Sequence, residues 1–404
     1  MKKYTGLIKE LILSQNLKSK ELKKLPLSAS WYLHSTFKNE KISKMNGKYV
    51  VSTFMPPFPS RAFEQLIKNT VAVYNHEIFP YSAYLAVTNE CKFHCWHCSK
   101  AYRQGENIAK EKWIEVIKKL QDLGVSIIGF TGGEPLLRTD LEDIIKTVDD
   151  RSTVILFTTG DGLTDERAQS LKEAGLSYIA ISLDHYDKAV HNKLRGLDRA
   201  FDTAIQAIRI SVKKGFYTAV QLTPRRELLN KTEMDKYIKF VSELRVEEIR
   251  IIEPMPAGRL LKNHANILLT DSDHEFIKQY HINTNKDNNL PKMASFVYLE
   301  DKDLYGCGAG IQHIHIDGLG NICPCDFTPL SFGNIKDEDL EVIYQRVRKQ
   351  FDRPRNRCFI LENADKISAC FGENLPFNYK DSVKICENCS KGELPKFYKK
   401  LGWN

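Results

Sequence analysis

Between Ala83 and Ile252 the chain alternates short apolar runs with amphipathic helical patterns. The apolar runs are Ala83–Val87, Val125–Phe130, Thr153–Phe157, Tyr178–Leu183, Thr218–Leu222 and Ile249–Ile252. Helical periodicity falls at Trp113–Leu123, Leu141–Val148, Asp165–Ala174, Ala200–Lys213 and Glu233–Leu244. Strands that are continuously apolar and separated by helices are parallel, with the helices covering the sheet. The right-handed crossovers between them curl such a sheet toward a barrel. Periodicity alone leaves a partial (β/α)6 barrel and a doubly wound sheet both open.

Around this α/β repeat, held in residues 81–265, the 404-residue chain has three further parts. Residues 1–80 form an N-terminal extension with no assignable role, broken at Met55-Pro56-Pro57-Phe58-Pro59, where proline excludes regular structure. Residues 266–296 read as a polar linker, and residues 297–404 as a cysteine-rich tail. With 42% hydrophobic and 27% charged residues, the composition excludes disordered, collagen-like and coiled-coil classes. No apolar run approaches the roughly 20 residues of a membrane span. Glu10 and Gln15 interrupt the first apolar face, so no signal peptide is read and the expected location is the cytoplasm. Residues 1–24 hold seven lysines against Glu10 and Glu21, and Tyr4, Leu7, Ile8, Leu11 and Ile12 fall at helical spacing. This predicts a basic amphipathic helix, either packed on the surface or in peripheral contact with an anionic membrane or acidic partner. No basic–aromatic pattern accompanies it, so no nucleic-acid partner is expected.

Ten cysteines in a chain without a secretory signal point to metal or redox chemistry rather than disulfides. Cys91-x3-Cys95-x2-Cys98 follows the first apolar run, in the loop where a parallel barrel places its site. Three thiolates can hold three corners of a cubane cluster and leave one iron open. Zinc is the competing metal, because His94 and His97 are interleaved with the cysteines. After the second run comes Gly132-Gly133-Glu134-Pro135, whose glycines permit close backbone approach and whose Glu134 offers an acceptor at the same end of the sheet.

Together these two motifs resemble the radical S-adenosylmethionine (radical SAM) enzymes. The resemblance covers roughly residues 82–260 and implies a partial barrel. It implies a [4Fe-4S] cluster on Cys91, Cys95 and Cys98, with Gly132, Gly133 and Glu134 holding the methionine amino group of the cofactor. Thr159 and Gly160 stand where the family often has a TNG-like turn, and Asp161 departs from it. Ser182 and Asp184, then His191, Arg195 and Gly196, resemble the family's S-x-D…H-x-x-x-R-G stretch, in which Ser182 and Arg195 would contact the cofactor. Residues 253–259 (Glu-Pro-Met-Pro-Ala-Gly-Arg) stand where family members present backbone to the adenine. The implied reaction is one-electron cleavage of S-adenosylmethionine to a 5′-deoxyadenosyl radical, which removes a hydrogen atom from the substrate. A one-electron donor such as a ferredoxin or flavodoxin is the implied redox partner.

In the tail, Cys307 is followed by ten residues, Gly318, four residues and Cys323. This spacing resembles the opening of a SPASM extension, which carries auxiliary iron–sulfur clusters. Residues 312–317 alternate as a strand and Asp317–Gly320 makes a turn, so a hairpin is predicted. The family's Cys-x2-Cys-x5-Cys-x3-Cys run is missing, which favours one auxiliary [4Fe-4S] cluster on Cys307, Cys323, Cys386 and Cys389. Cys325, Cys358 and Cys370 are left over, and one could replace a predicted ligand or join a second cluster. A zinc knuckle is the alternative for this region. The resemblance implies maturation of a peptide or protein, with a lipid or small-molecule intermediate as the alternative substrate. A non-catalytic iron–sulfur or zinc-binding regulator is the reading outside enzymology.

Overall fold

The computed structural model describes residues 1–16 and 19–404, and of residues 15 and 16 the backbone alone. Near the N-terminus, β1 (Lys2–Tyr4), β2 (Ile42–Met45) and β3 (Lys48–Val50) form a small antiparallel sheet in that order. Tyr4 therefore pairs with Ile42 in a strand and is not on the expected helix, which runs from Gly6 to Asn16. The remainder of the predicted basic helix falls partly on residues 17 and 18, outside the described residues. Ile12 and Leu13 are buried, whereas Leu7 and Leu11 face outward.

Six parallel strands follow: β4 (Ser82–Thr88), β5 (Ile127–Gly132), β6 (Thr153–Thr158), β7 (Tyr178–Ser182), β8 (Tyr217–Leu222) and β9 (Glu248–Ile251). They lie side by side in chain order, from β4 to β9. A doubly wound sheet reverses its order at a switch point. This one does not, so the architecture is the partial barrel.

Two additions come from segments that the sequence pattern left outside the repeat. The 266–296 stretch, expected as a linker, contains a helix (Asp271–Thr284) and β10 (Lys292–Ser295), which pairs in parallel with β9. Its helix looks polar, and only Ile277, His281 and Thr284 are buried on it, which hid the period. At the other edge, β11 (His313–Ile316) pairs in parallel with β4, and β12 (Ile322–Cys323) closes the predicted hairpin onto β11. The tail thus continues the barrel sheet.

The concave face of the sheet explains the N-terminal extension. At the N-terminal ends of the strands, Ile127, Ile155, Tyr178 and Tyr217 pack with Val50 of β3. Around this plug the Glu248 carboxylate accepts from Thr53 N at 2.9 Å and from the Tyr217 hydroxyl at 2.9 Å. Arg250 donates to Thr53 Oγ1 at 2.9 Å and Lys292 to the Val50 carbonyl at 2.7 Å. Buried polar groups survive only when paired in this way. The extension is therefore the floor of the barrel, and the opposite end, where the strands terminate, remains for chemistry.

Lys41, fully buried just before β2, donates its ammonium to the carbonyls of Thr284, Asp287 and Leu290. It ties the extension to the turn between the Asp271–Thr284 helix and β10. Lys41→Met leaves three carbonyls without a charged donor and should lower stability by about 2–4 kcal/mol. Urea unfolding of the two proteins tests this, and an unchanged midpoint would show the tie to be idle.

Candidate cofactor and metal site

The loop after β4 carries Cys91, Cys95 and Cys98, and three separate segments grip its backbone. From the end of β5, Gly133 N donates to the Thr88 carbonyl at 2.7 Å and Glu134 N to the Glu90 carbonyl at 2.7 Å. From the helix after β7 (Lys188–Arg195), the Arg195 and Leu194 carbonyls accept from His94 N and Trp96 N, each at 3.0 Å. From the segment after β9, Arg259 N donates to the Cys98 carbonyl at 3.1 Å. Two glycines are dictated by this contact. A first side-chain carbon on Gly133 would lie 2.1 Å from the Glu90 oxygen, and one on Gly258 would lie 2.2 Å from the Cys98 oxygen.

Glu134 is wholly buried, and its carboxylate is engaged inside the protein. It accepts from Thr158 Oγ1 at 2.6 Å, Thr159 N at 2.7 Å, Thr159 Oγ1 at 2.5 Å and Leu136 N at 3.0 Å. Burial raises its pKa, and the Thr158 and Thr159 donors work against that rise. The side chain thus fastens the end of β5 to the Thr159–Gly160 turn after β6. Asp161, the departure in that turn, pairs with Arg199 at 3.0 Å and Lys92 at 3.2 Å.

Ser182, at the end of β7, leaves its hydroxyl without a partner among the described residues. Arg195 binds the Asp184 carboxylate through two nitrogens, each at 2.7 Å, and places Nη1 3.7 Å from Cys95 Sγ. Burial opposes the charge on Asp184, yet Arg195, with His97 and His191, holds its carboxyl far below the usual range. His97 Nε2 faces the Asp184 carboxylate at 3.6 Å, too far for a hydrogen bond. Burial pushes the Cys91 thiol up to about 12, the setting in which a metal must displace the proton for the thiolate to form. Three thiols on one loop, with a guanidinium beside the most buried of them, suit a site-differentiated iron–sulfur cluster.

All three loop cysteines open onto one chamber of about 990 Å³, which also reaches Gly132, Gly133, Ser182 and Arg195. Its far wall is the tail. There Cys307, Cys358 and Glu300 place their ligand atoms within 4.8 Å of one another, and Cys325 faces the same space. The other predicted tail ligands lie elsewhere. Cys323, on β12, is surrounded by Arg103, Asp317 and Lys100. Cys386 and Cys389 sit on and just after the Tyr379–Glu387 helix, with Cys370 acting on the Cys389 thiol. The structure therefore does not bring Cys307, Cys323, Cys386 and Cys389 together. It divides the tail thiols into a chamber-facing group and an outer group. The reason is that β12 ends at Cys323: beyond Pro324 the chain leaves the strand for a turn in which the Cys325 carbonyl accepts from Thr328 N at 3.2 Å, and Cys325 comes to adjoin Cys307.

Sequence reasoning also missed the polar bridge between the two walls. Lys100 Nζ lies 2.5 Å from His315 Nε2, and Asp326 lies 3.2 Å from His315 Nδ1 and 2.8 Å from His313 Nε2. Burial lowers the Lys100 ammonium to about 8, against the pull of Asp326. The signal was present in the alternation of His313 and His315, which puts both on one face of β11.

The radical SAM superfamily model matches residues 85–228, and the SPASM iron-sulfur cluster-binding domain model matches residues 307–390. The chain belongs to the radical SAM superfamily and carries a SPASM domain at its C-terminal end, so its cofactors are S-adenosylmethionine and [4Fe-4S] clusters. Among solved structures it is similar to Streptococcus suis SuiB bound to the precursor peptide SuiA, at 17% identity over 80% of each chain, with a TM-score of 0.57. It is also similar to anSMEcpe with bound AdoMet and the Kp18Cys peptide, at 18% identity over 80% of this chain and 98% of that one, with a TM-score of 0.56. These two likenesses establish a shared fold.

The close approach at Gly133 yields a prediction. Gly133→Ala should displace the cysteine loop and weaken S-adenosylmethionine binding about tenfold, the effect of ~1.4 kcal/mol. Calorimetric titration of reconstituted protein measures it, and wild-type affinity would show that the loop accommodates the methyl group.

Proposed function

We propose that this radical SAM enzyme removes a hydrogen atom from a peptide or protein undergoing maturation. The observation that carries the reading is the chamber: one wall bears the Cys91–Cys98 loop and the other the tail thiols. Its volume, about 990 Å³, lies at the top of the range for ligand pockets and would be shared between cofactor and substrate. The solved structures of similar fold include SuiB with the precursor peptide SuiA and anSMEcpe with a peptide.

Cys91, Cys95 and Cys98 would hold the [4Fe-4S] cluster, with Ser182 and the Gly132–Gly133 backbone lining the place for S-adenosylmethionine. When bound and reduced, these cofactors supply a 5′-deoxyadenosyl radical able to attack an unactivated C–H bond. Arg195 orients Cys95 and offsets thiolate charge, while Asp184 fixes the guanidinium. The extension seals the floor of the barrel against water and stray hydrogen donors. Electrons would come from a ferredoxin or flavodoxin.

Replacing Cys91, Cys95 and Cys98 together with Ala should abolish 5′-deoxyadenosine formation from dithionite and S-adenosylmethionine while iron remains in the tail. Product formation by that variant would remove these cysteines from the site. For the substrate, anaerobic turnover of a peptide pool from cells lacking the enzyme should yield mass-altered peptides. Altered lipids or metabolites in their place would overturn the substrate class.

A peripheral membrane location is a second reading, and specific residues favour it. Leu7 is 89% and Leu11 57% exposed, as are Leu27 at 89% and Trp31 at 74%. Each pair is spaced four residues apart on a helix, so each forms an outward apolar stripe. No helix among the described residues is long and apolar enough to cross a membrane. Wild-type protein should sediment with anionic vesicles and Leu7→Asp with Trp31→Asp should not. Equal sedimentation of both would reject the reading.

A further inference from the structure

Glu300 follows the Phe296–Leu299 turn of helix, where its backbone N–H closes the turn onto the Phe296 carbonyl at 2.7 Å. Its carboxylate makes no hydrogen bond and no ion pair with any described residue, although it is only partly exposed and lies in the chamber wall. A carboxyl group left in such a place without a donor either keeps its proton, as burial favours here, or gives it up to a cation that completes the site. What stands beside it is a thiol pair. The ligand atoms of Glu300, Cys307 and Cys358 all lie within 4.8 Å of one another, close enough to serve one metal centre. Cys325 adds a third thiol facing the same space.

The fourth thiol that a fully cysteine-ligated centre would need is not at this wall. Cys323 is enclosed by Arg103, Asp317 and Lys100, while Cys370, Cys386 and Cys389 belong to the outer group. The chamber-facing set is therefore three sulfurs and one carboxylate. We propose that Glu300 is an oxygen ligand of the auxiliary iron–sulfur centre held by Cys307, Cys325 and Cys358. An oxygen donor is a harder and weaker partner for such iron than thiolate. The iron it binds is then the most exchangeable one of the centre, and it faces the space where substrate sits. The assignment rests on the SPASM domain and not on the peptide reading.

The test uses the full chain with Cys91, Cys95 and Cys98 replaced by Ala, so that radical chemistry cannot influence the result. Iron, sulfide and zinc are counted after anaerobic reconstitution, and electron paramagnetic resonance and Mössbauer spectra are taken with Glu300 intact and as Glu300→Ala, Glu300→Gln and Glu300→Cys. The expected result is a loss of about one iron per chain from Glu300→Ala and Glu300→Gln on mild oxidation, as a cubane sheds its unprotected corner. Glu300→Cys should keep the iron count of the parent while its spectra change, because one iron exchanges oxygen for sulfur. Spectra and iron content alike in all four proteins would overturn the proposal. So would tightly bound zinc without sulfide at this wall, which Cys307→Ala would release.

Discussion

Everything at the working end of this protein depends on how a short cysteine loop is held. Three thiols close in sequence cannot position a cluster unless the backbone between them is fixed, since a surface loop of this kind is otherwise mobile. Here backbone hydrogen bonds arrive from the segments that follow three different barrel strands: from Gly133 and Glu134 after β5, from Leu194 and Arg195 in the helix after β7, and from Arg259 after β9. Because those strands lie at different places around the sheet, the loop is braced from several directions. The glycines at 133 and 258 are the cost of that bracing, for any side chain there would strike the loop carbonyls. Glu134 acts one layer behind, fastening two strand ends to each other so that the grip is rigid.

An open barrel has a free edge, and this chain uses it. The β4 strand, which delivers the cysteine loop, also accepts β11 of the tail on its other side. One strand thereby sets the distance between the two metal-bearing regions. The connection is reinforced by buried polar contacts rather than by apolar packing alone. Arg103 pairs with Asp317, and Lys100 reaches the His315–Asp326 pair from a position two residues after Cys98. Breaking one partner of such a pair strands the other charge, so these contacts fix register more than they add stability. The barrel and tail are coupled through the same loop that holds the first cysteines.

The barrel was legible because its strands are apolar on both faces and its helices strictly periodic, so local pattern and global fold agree. The first cysteine triad and the glycines were legible for a related reason: each is set by chain neighbours within a few residues. What escaped was set by partners far away. The Asp271–Thr284 helix buries too few apolar residues to show a period, and β10 is recognisable only once β9 is there to pair with it. The spatial grouping of the tail thiols was hidden for the same cause. Cys323 and Cys325 are two residues apart and indistinguishable by spacing, and only the hairpin decides that Arg103 surrounds the first and Cys307 adjoins the second. Glu300 had no signal at all, because a single glutamate near a cysteine is ordinary sequence.

Charge placement around the two thiol groups shows why they cannot be equivalent. Cys95 has a guanidinium at 3.7 Å, itself anchored by a carboxylate, so excess negative charge on its thiolate is met by a fixed cation. Cys307 and Cys358 instead have Glu300 for a neighbour, whose carboxyl burial holds well above the usual range, while the Arg355 guanidinium acts on the Cys307 thiol. Positive charge beside a ligand favours the reduced form of a metal centre, and negative charge disfavours it. The loop site thus has a fixed cation beside its most buried thiol, whereas the chamber-wall site has a carboxyl group among its thiols and a guanidinium acting on Cys307.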